Sequence, residues 1–295
     1  MRALSAAGLL VLLLPALGCA APRRFRVLTL NIQNDAENGR APAIAELIRR
    51  SGADVVGLQE AGDNGPVLAR LLGFNYAKVG DDTAVLSRYA LTAATPGPRQ
   101  VTVAFGDGRQ LRVLDLHLLY KPYQPYQLLH IPYDGPDLST EAEAIDWASR
   151  TRGAETAAAL QELSASDTGD APTVVVGDFN EPSHLDWTDA AVRAGRQPLK
   201  VAWPQTSAFA AAGFKDAYRE LNPDEAAKPG FTWTPTTSPS DPKDHHDRID
   251  FVLYRGRGLA ARRALVVGES AATSDIVVAP YPSDHRGVAA DFTLR

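Results

Sequence analysis

Apolar and polar residues alternate over residues 24–32 (RFRVLTLNI), and the run ends in the polar cluster Gln33-Asn34-Asp35. A period of two over that length predicts a strand entering a loop. The period changes over residues 41–50, where Ile44, Leu47 and Ile48 share one face of a helix and Gly52 supplies its stop. Strand-like runs return at 54–59 (DVVGLQ), closing on Glu60, and at 83–87, 100–105 and 111–118. Gly106-Asp107-Gly108 predicts a hairpin turn between the last two. Residues 120–137 show neither period; with four tyrosines, four prolines and His130 they are expected to form a long structured loop. A helix carrying Arg150 and Arg152 is expected over 141–163, then a strand apolar on both faces over 171–177 (APTVVVG). Further strands are expected at 232–234, 248–254, 263–267 and 286–294. Strands and helices mix throughout, with no repeat or shift of composition, which predicts one α/β or α+β domain with large sheets over 25–295.

The first residues follow a different rule. Arg2 precedes an apolar run over 9–17, and the string Leu14-Pro15-Ala16-Leu17-Gly18-Cys19 ends on the only cysteine of the chain. That order is expected of an export signal, and the run is shorter than the roughly 20 apolar residues a spanning helix needs. The string resembles a bacterial lipobox, which implies a signal peptide over 1–19, a lipid anchor at Cys19 that ties the chain to a membrane, and a short linker over 20–24. Ordinary cleavage after Ala20 or Ala21, giving a periplasmic or secreted protein, is the alternative. Beyond Cys19 no disulfide framework can form. Of 295 residues, 45% are hydrophobic and 22% charged, with a formal net charge of −5. This is an ordinary globular composition, and it argues against a broad electropositive nucleic-acid surface.

The chemistry concentrates where apolar runs stop. Val27-Leu28-Thr29-Leu30 delivers Asn31; the run before Gln59 delivers Glu60; Val113-Leu114-Asp115-Leu116 delivers His117; and Val174-Val175-Val176-Gly177 delivers Asp178 and then Asn180. Ile249 precedes Asp250, and Ser283 precedes Asp284-His285. Such groups can gather at one edge of a sheet. Oxygen donors without thiolates suit a hard cation, Mg²⁺ or Mn²⁺, rather than zinc. Two histidines among carboxylates offer acid–base chemistry near neutral pH. On an extended segment Asp178 and Asn180 would point the same way and Phe179 into the core.

With these segments in this order, the chain resembles the endonuclease/exonuclease/phosphatase superfamily, from TLNIQ at Thr29 through LQE, DLH, GDFN and RIDFVL to SDHRGV at Ser283. The resemblance implies a four-layer sandwich of two packed β-sheets flanked by helices, and Mg²⁺-dependent hydrolysis of a phosphodiester. It implies Asn31 and Glu60 as metal ligands, with Asp284 at a second metal position. Asp178 and Asn180 would position water and phosphate oxygens, Asp250 would orient His285, and His117 would meet the phosphate or the leaving oxygen. The expected substrate is a nucleic acid or a phospholipid headgroup. Envelope nuclease, sphingomyelinase-type hydrolase and phosphatase are thus the candidate activities, and a monomer is expected. A catalytically dead binding protein would have lost Glu60 or His285. Tyr120 and Arg152 are candidate substrate contacts, with packing roles as their alternatives. Asp244-His245-His246-Asp247 is either a ligand cluster or a solvated rim.

Overall fold

The period-two run near the amino terminus becomes β1 (Arg23–Asn31), whose Leu28 and Leu30 face helices while Phe25 and Val27 face a second sheet. The structure is a computed structural model that describes residues 21–33, 39–93, 99–165 and 170–295. The expected signal segment with Cys19, and Asn34 and Asp35, lie outside the described residues.

After β1 come α1 (Ala41–Ser51), β2 (Val55–Gln59), α2 (Asn64–Leu72), β3 (Asn75–Lys78), β4 (Ala84–Ser87) and β5 (Ala90–Ala93). Next are β6 (Gln100–Ala104), β7 (Gln110–His117), α3 (Gln124–Leu128), α4 (Glu141–Ala165) and β8 (Thr173–Asp178). The second half contains α5 (Asp189–Arg193), α6 (Pro204–Ala211), β9 (Lys215–Asp216), α7 (Ala217–Leu221), β10 (Asp250–Arg255), β11 (Leu259–Gly268), β12 (Ile276–Val277) and β13 (Gly287–Leu294). One sheet has the order β12-β11-β13-β1-β2-β4-β3 and the other β5-β6-β7-β8-β10-β9. Both are mixed: β1 runs parallel to β2 and β11 to β12 in the first, β7 runs parallel to β8 in the second, and the other neighbours are antiparallel.

Burial sorts these elements into four layers. Val27, Val55, Val113, Val174, Val176, Val252 and Val288 fill the space between the sheets. Ile44, Leu47 and Ile48 of α1 cover the outer face of the first sheet, against Leu28, Leu30, Val56 and Leu58. Ala159 and Leu163 of α4 and Phe209 of α6 cover the second, against Leu114, Val175 and Phe251. Each fully buried Val, Leu or Phe stabilises by about 1.5–3 kcal/mol, so alternation within a strand is enough to commit both of its faces. The sandwich expected from the sequence is the fold observed.

Local chemistry sets the helix ends. Gly52 closes α1 in a left-handed conformation at φ 70°. A capping box starts α4: the Glu143 backbone N–H donates to Thr140 Oγ1 at 3.2 Å and the Thr140 N–H donates to Glu143 Oε2 at 3.0 Å. Two expectations change. The strand expected at 232–234 is reduced to isolated bridges from Trp233 to Asp247 and His285. The tyrosine-rich stretch is a loop that contains α3, whose tyrosines Tyr123 and Tyr126 are buried against Ile249.

Candidate active site

The inter-sheet core changes character at one end of the sandwich. Along the inward face of each strand the period of two continues, but valine gives way to polar residues: Thr29 and Asn31 on β1, Gln59 on β2, Asp115 and His117 on β7, Asp178 on β8. Asp250 opens β10 rather than ending it. Because β10 is antiparallel to β8, with Asp250 opposite Asp178, it reaches the same edge. A layer that is dry lower down therefore finishes as a cluster of carboxylates, amides and imidazoles.

Two conformational features sharpen that edge. Gly177 has φ 152°, and a Cβ there would lie 2.2 Å from the Leu116 carbonyl oxygen, so the GDFN motif needs glycine for β7 and β8 to approach. Gln33, Glu60 and Asn180, which follow the ends of β1, β2 and β8, hold positive φ values of 56°, 55° and 48°. Non-glycine residues in that region cost about 1–3 kcal/mol each and gather at functional sites. Asn180 consequently leaves the extended path expected for it. Its N–H donates to Asp178 Oδ1 at 2.8 Å and its Nδ2 to the Leu118 carbonyl at 3.0 Å, while Phe179 is buried in the outer core.

Asp178 is the hub. Its Oδ2 accepts from Asn31 Nδ2 at 3.1 Å and lies 3.7 Å from His285 Nε2 and 3.9 Å from His117 Nε2. Asn31 Nδ2 also donates to Glu60 Oε1 at 3.1 Å. The other ring nitrogen of His285, Nδ1, lies 3.0 Å from Asp250 Oδ2. Asp250 is held in turn by its own N–H, which donates to Thr232 Oγ1 at 3.2 Å. The serine of the Ser-Asp-His segment locks the assembly: Ser283 Oγ donates to the Asn31 carbonyl at 2.6 Å and accepts from the His285 N–H at 3.2 Å.

Charge and burial act against each other here. Burial alone would lower the His285 pKa, but Asp250 and Asp178 outweigh it and hold the imidazole protonated well above its ordinary value. For His117 burial is again opposed, by the bond to Asp82 at 2.5 Å and the charge of Asp178, which lift it to about 9. Burial raises Asp284, and one of its carboxylate oxygens, Oδ1, is enclosed without a hydrogen-bond partner. Deeper in, Asp115 accepts from Gln59 Nε2 at 2.6 Å, and burial drives it well above the usual carboxylate range.

These groups line a cleft of about 340 Å³, bordered by Glu60, Asp82, His117, Asp178, Asn180, Asp284 and His285 on one side and by Tyr120, Tyr133 and Trp233 on the other. A model of the Endonuclease/Exonuclease/phosphatase family matches residues 28–285, a span that takes in every one of these groups. The chain belongs to the endonuclease/exonuclease/phosphatase family. An uncharacterised protein of Caenorhabditis elegans, F14F9.5, is 30% identical over 296 residues, covering 92% of this chain and 91% of that one. Among solved structures, an endonuclease/exonuclease/phosphatase from Beutenbergia cavernae DSM 12333 superposes with a TM-score of 0.58 at 21% identity, covering 92% of this chain and 72% of that one. An AP endonuclease from Archaeoglobus fulgidus gives a TM-score of 0.57 at 15% identity, over 90% of this chain and 98% of that one. TDP2 of D. rerio, solved with a single-strand DNA product, gives 0.53 at 16% identity, over 91% and 98%. At such identities the likeness is one of fold.

The structure brings Asn31, Glu60, His117, Asp178, Asn180, Asp250, Asp284 and His285 together at this cleft. Tyr120, half exposed, stands at its mouth. Arg152 does not. It is fully buried, and its guanidinium donates to the Leu119, Tyr120 and Pro122 carbonyls and to Gln124 Oε1 at 2.7–3.4 Å. The expectation of substrate contact is corrected to a packing role, because the guanidinium is buried and bonded to the tyrosine-rich loop from all three of its nitrogens. Arg150 is exposed and pairs with Asp146 at 2.7 Å. The Asp244–Asp247 segment is neither a ligand cluster nor a solvated rim: Asp247 accepts from Tyr123 Oη at 2.8 Å and Trp187 Nε1 at 2.9 Å, and Asp244 from Tyr126 Oη and Trp233 Nε1. It clamps that loop in place.

Sequence reasoning missed Asp82, Trp233 and Glu181. Asp82 lies in a Gly-Asp-Asp turn indistinguishable from a solvated one. Trp233 packs its ring 5.0 Å from that of His285. Glu181 follows GDFN directly and is sealed within the protein, where burial lifts it to about 7 against the pull of Arg152.

Proposed function

We propose that this protein is an exported, divalent-metal-dependent phosphodiester hydrolase of nuclease type, with Mg²⁺ or Mn²⁺ as cofactor and a lipid anchor at Cys19. The observation that carries the reading is the oxygen-rich cleft centred on Asp178. Carboxylates of Glu60, Asp82, Asp178 and Asp284 border it, and among the described residues that line it there is no lysine or arginine. A phosphodiester anion entering such a cleft meets repulsion that His117 and His285 only partly offset. A bound divalent cation supplies the missing charge.

The residues present fit that cation. Glu60 Oε1 and Asp178 Oδ2 converge on the Asn31 side chain at 3.1 Å each, and Asp284 Oδ1 is buried without a partner, a donor set of hard oxygens without sulfur. Asn31 and Glu60 would hold it, with Asp284 nearby. Asp178, Asp250 and His285 also form a buried group whose ligand atoms lie within 4.8 Å of one another. The direct Asp250–His285 contact at 3.0 Å supports keeping those two as a pair, with Asp250 orienting the imidazole rather than holding the cation. When bound, the cation polarises the phosphoryl group and stabilises the departing oxyanion.

The chain's own residues do the rest. Asp178, fixed by Asn31 and by the Asn180 N–H, holds the attacking water and takes its proton as the new P–O bond forms. His285, held in one orientation by Asp250, presents Nε2–H to a phosphoryl oxygen and acts by electrostatic stabilisation, because its two carboxylate neighbours keep it protonated. His117, backed by Asp82, hands its proton to the leaving oxygen as that P–O bond breaks. Positioning and charge neutralisation dominate phosphoryl transfer, and this centre is built for both. Tyr120, Tyr133 and Trp233 line the mouth with flat rings suited to stacking on a base, which favours a nucleic acid over a phosphomonoester.

The test is hydrolysis of bis(p-nitrophenyl) phosphate, with plasmid DNA, RNA, sphingomyelin and a phosphomonoester run beside it. Turnover with Mg²⁺ or Mn²⁺ that stops with EDTA is expected. Turnover indifferent to chelation would sink the metal assignment, and turnover of the phosphomonoester alone would sink the diesterase reading.

A further inference from the structure

The end of the sandwich opposite the cleft carries the other sign of charge. β1 begins there, Arg23 pairs with Leu294 at the close of β13, and β11 starts alongside with Leu259 opposite the same Leu294. A shallow groove of about 760 Å³ at this end is lined by Arg24, Arg26, Arg262 and Arg295 together with Asp54 and Asp291. The two acids are already occupied. Asp291 accepts from Arg26 at 2.5 and 2.9 Å, and Asp54 lies 3.3 Å from Arg88 Nε. Arg24, Arg262 and Arg295 are exposed and set the sign of the potential, which exposed Arg50 at the end of α1 and Arg257 after β10 reinforce. In a chain of net charge −5, this is a segregation of charge: acidic at the site, basic at the opposite pole.

What precedes the described chain joins it at that basic pole. The Ala21 carbonyl accepts from Arg109 Nη2 at 2.8 Å, and residues 9–17 and Cys19 lie just upstream. We propose that the arginine-rich pole rests on a membrane surface of anionic phospholipid, with the cleft facing away from it. The inference deepens the membrane attachment proposed above and does not depend on which phosphodiester is cleaved. Among the described residues no helix is long and apolar enough to cross a membrane. A basic patch beside a lipid anchor adds a second attachment signal and sets which face of the domain meets an anionic surface. Nucleic acid is the poorer occupant. β1 runs nine residues from this pole to Asn31, about 30 Å at 3.3 Å per residue, so a strand held by these arginines would lie far from the catalytic groups.

The full chain is tested by co-sedimentation with phosphatidylcholine vesicles, with and without phosphatidylglycerol, against the triple variant Arg24→Gln/Arg262→Gln/Arg295→Gln. Both proteins keep the same tether, so the difference isolates the pole. Each basic residue near an anionic surface strengthens binding about fivefold, so the variant should bind the anionic vesicles about a hundredfold more weakly. Wild-type binding should also fall as salt rises. A second variant, Arg50→Gln/Arg257→Gln, gives an independent reading if thermal unfolding shows the first to be misfolded. Equal binding to neutral and anionic vesicles, or unchanged binding in a folded variant, overturns the proposal. So does a variant that keeps vesicle binding but loses binding to duplex DNA, which would assign the pole to nucleic acid.

Discussion

Replacing Glu181 with glutamine should change how the stability of this protein depends on pH. Glu181 is fully buried; its Oε1 accepts from the Gln205 N–H at 2.9 Å and its Oε2 has no hydrogen-bond partner. Burial is the largest influence and raises its pKa from the ordinary 4.5 to about 7, with the charge of Arg152 and the bonds from Gln205 pulling the other way. A folded value above the unfolded one means the native state binds the proton more tightly. The associated stability is therefore complete below pH 4.5 and is lost as pH rises through about 7. At roughly 1.4 kcal/mol per pH unit of separation, the total is about 3 kcal/mol, most of it lost between pH 5 and pH 8. Glutamine keeps the acceptor for Gln205 and does not titrate. Urea unfolding followed by tryptophan fluorescence would compare wild type and Glu181→Gln at both pH values. The wild type should weaken relative to the variant by about 2–3 kcal/mol on going from pH 5 to pH 8. A difference between the two proteins that is the same at both pH values would refute the reasoning, because it would mean Glu181 titrates as though exposed.

Other expectations bear on the site and its supports. Asp178→Ala and His285→Ala should each lower turnover of bis(p-nitrophenyl) phosphate by at least about a hundredfold with unfolding temperature retained, and near-normal turnover in either would remove that residue from the mechanism. Asp250→Asn should lower kcat more than it raises KM, since Asp250 reaches substrate only through His285; the kinetic split is the readout. Arg152→Met should destabilise the fold by several kcal/mol, because it removes the donors that a fully buried guanidinium gives to the carbonyls of the 119–122 loop; a melting temperature equal to wild type would contradict the packing role. Cys19→Ser should move the chain from the membrane fraction to the soluble fraction, and unchanged fractionation would count against acylation.

The parts of this protein legible in its sequence are those governed by neighbours along the chain. Alternation in 24–32 committed Leu28 and Leu30 to one face and Val27 to the other, and the same parity sent Thr29 and Asn31 inward beyond Val27. The same holds for Val174, Val176 and Asp178 on β8, and Gly177 is demanded by the backbone path itself. Asn180 shows the limit: extended geometry put it beside Asp178, but the chain turns at φ 48° and its amide is tied to Leu118.

What only the tertiary structure decided is who stands opposite whom. His117 meets Asp82 from 35 positions away, and Arg152 meets the loop from 32 positions away at Tyr120. Nothing local distinguishes Asp82 from a solvated turn residue or Arg152 from a surface cation. Burial and charge state belong to the surroundings, and the surroundings are built by distant segments. The same is true of polarity: a modest net charge hides an acidic cleft at one end of the strands and arginines at the other, because strand direction and register set Asp250 opposite Asp178 at one edge and the start of β1 beside the end of β13 at the other. Sequence by itself determined most of the strands, their faces and the order of the polar motifs; three-dimensional packing decided which of the charged residues face the cleft and which hold the structure together.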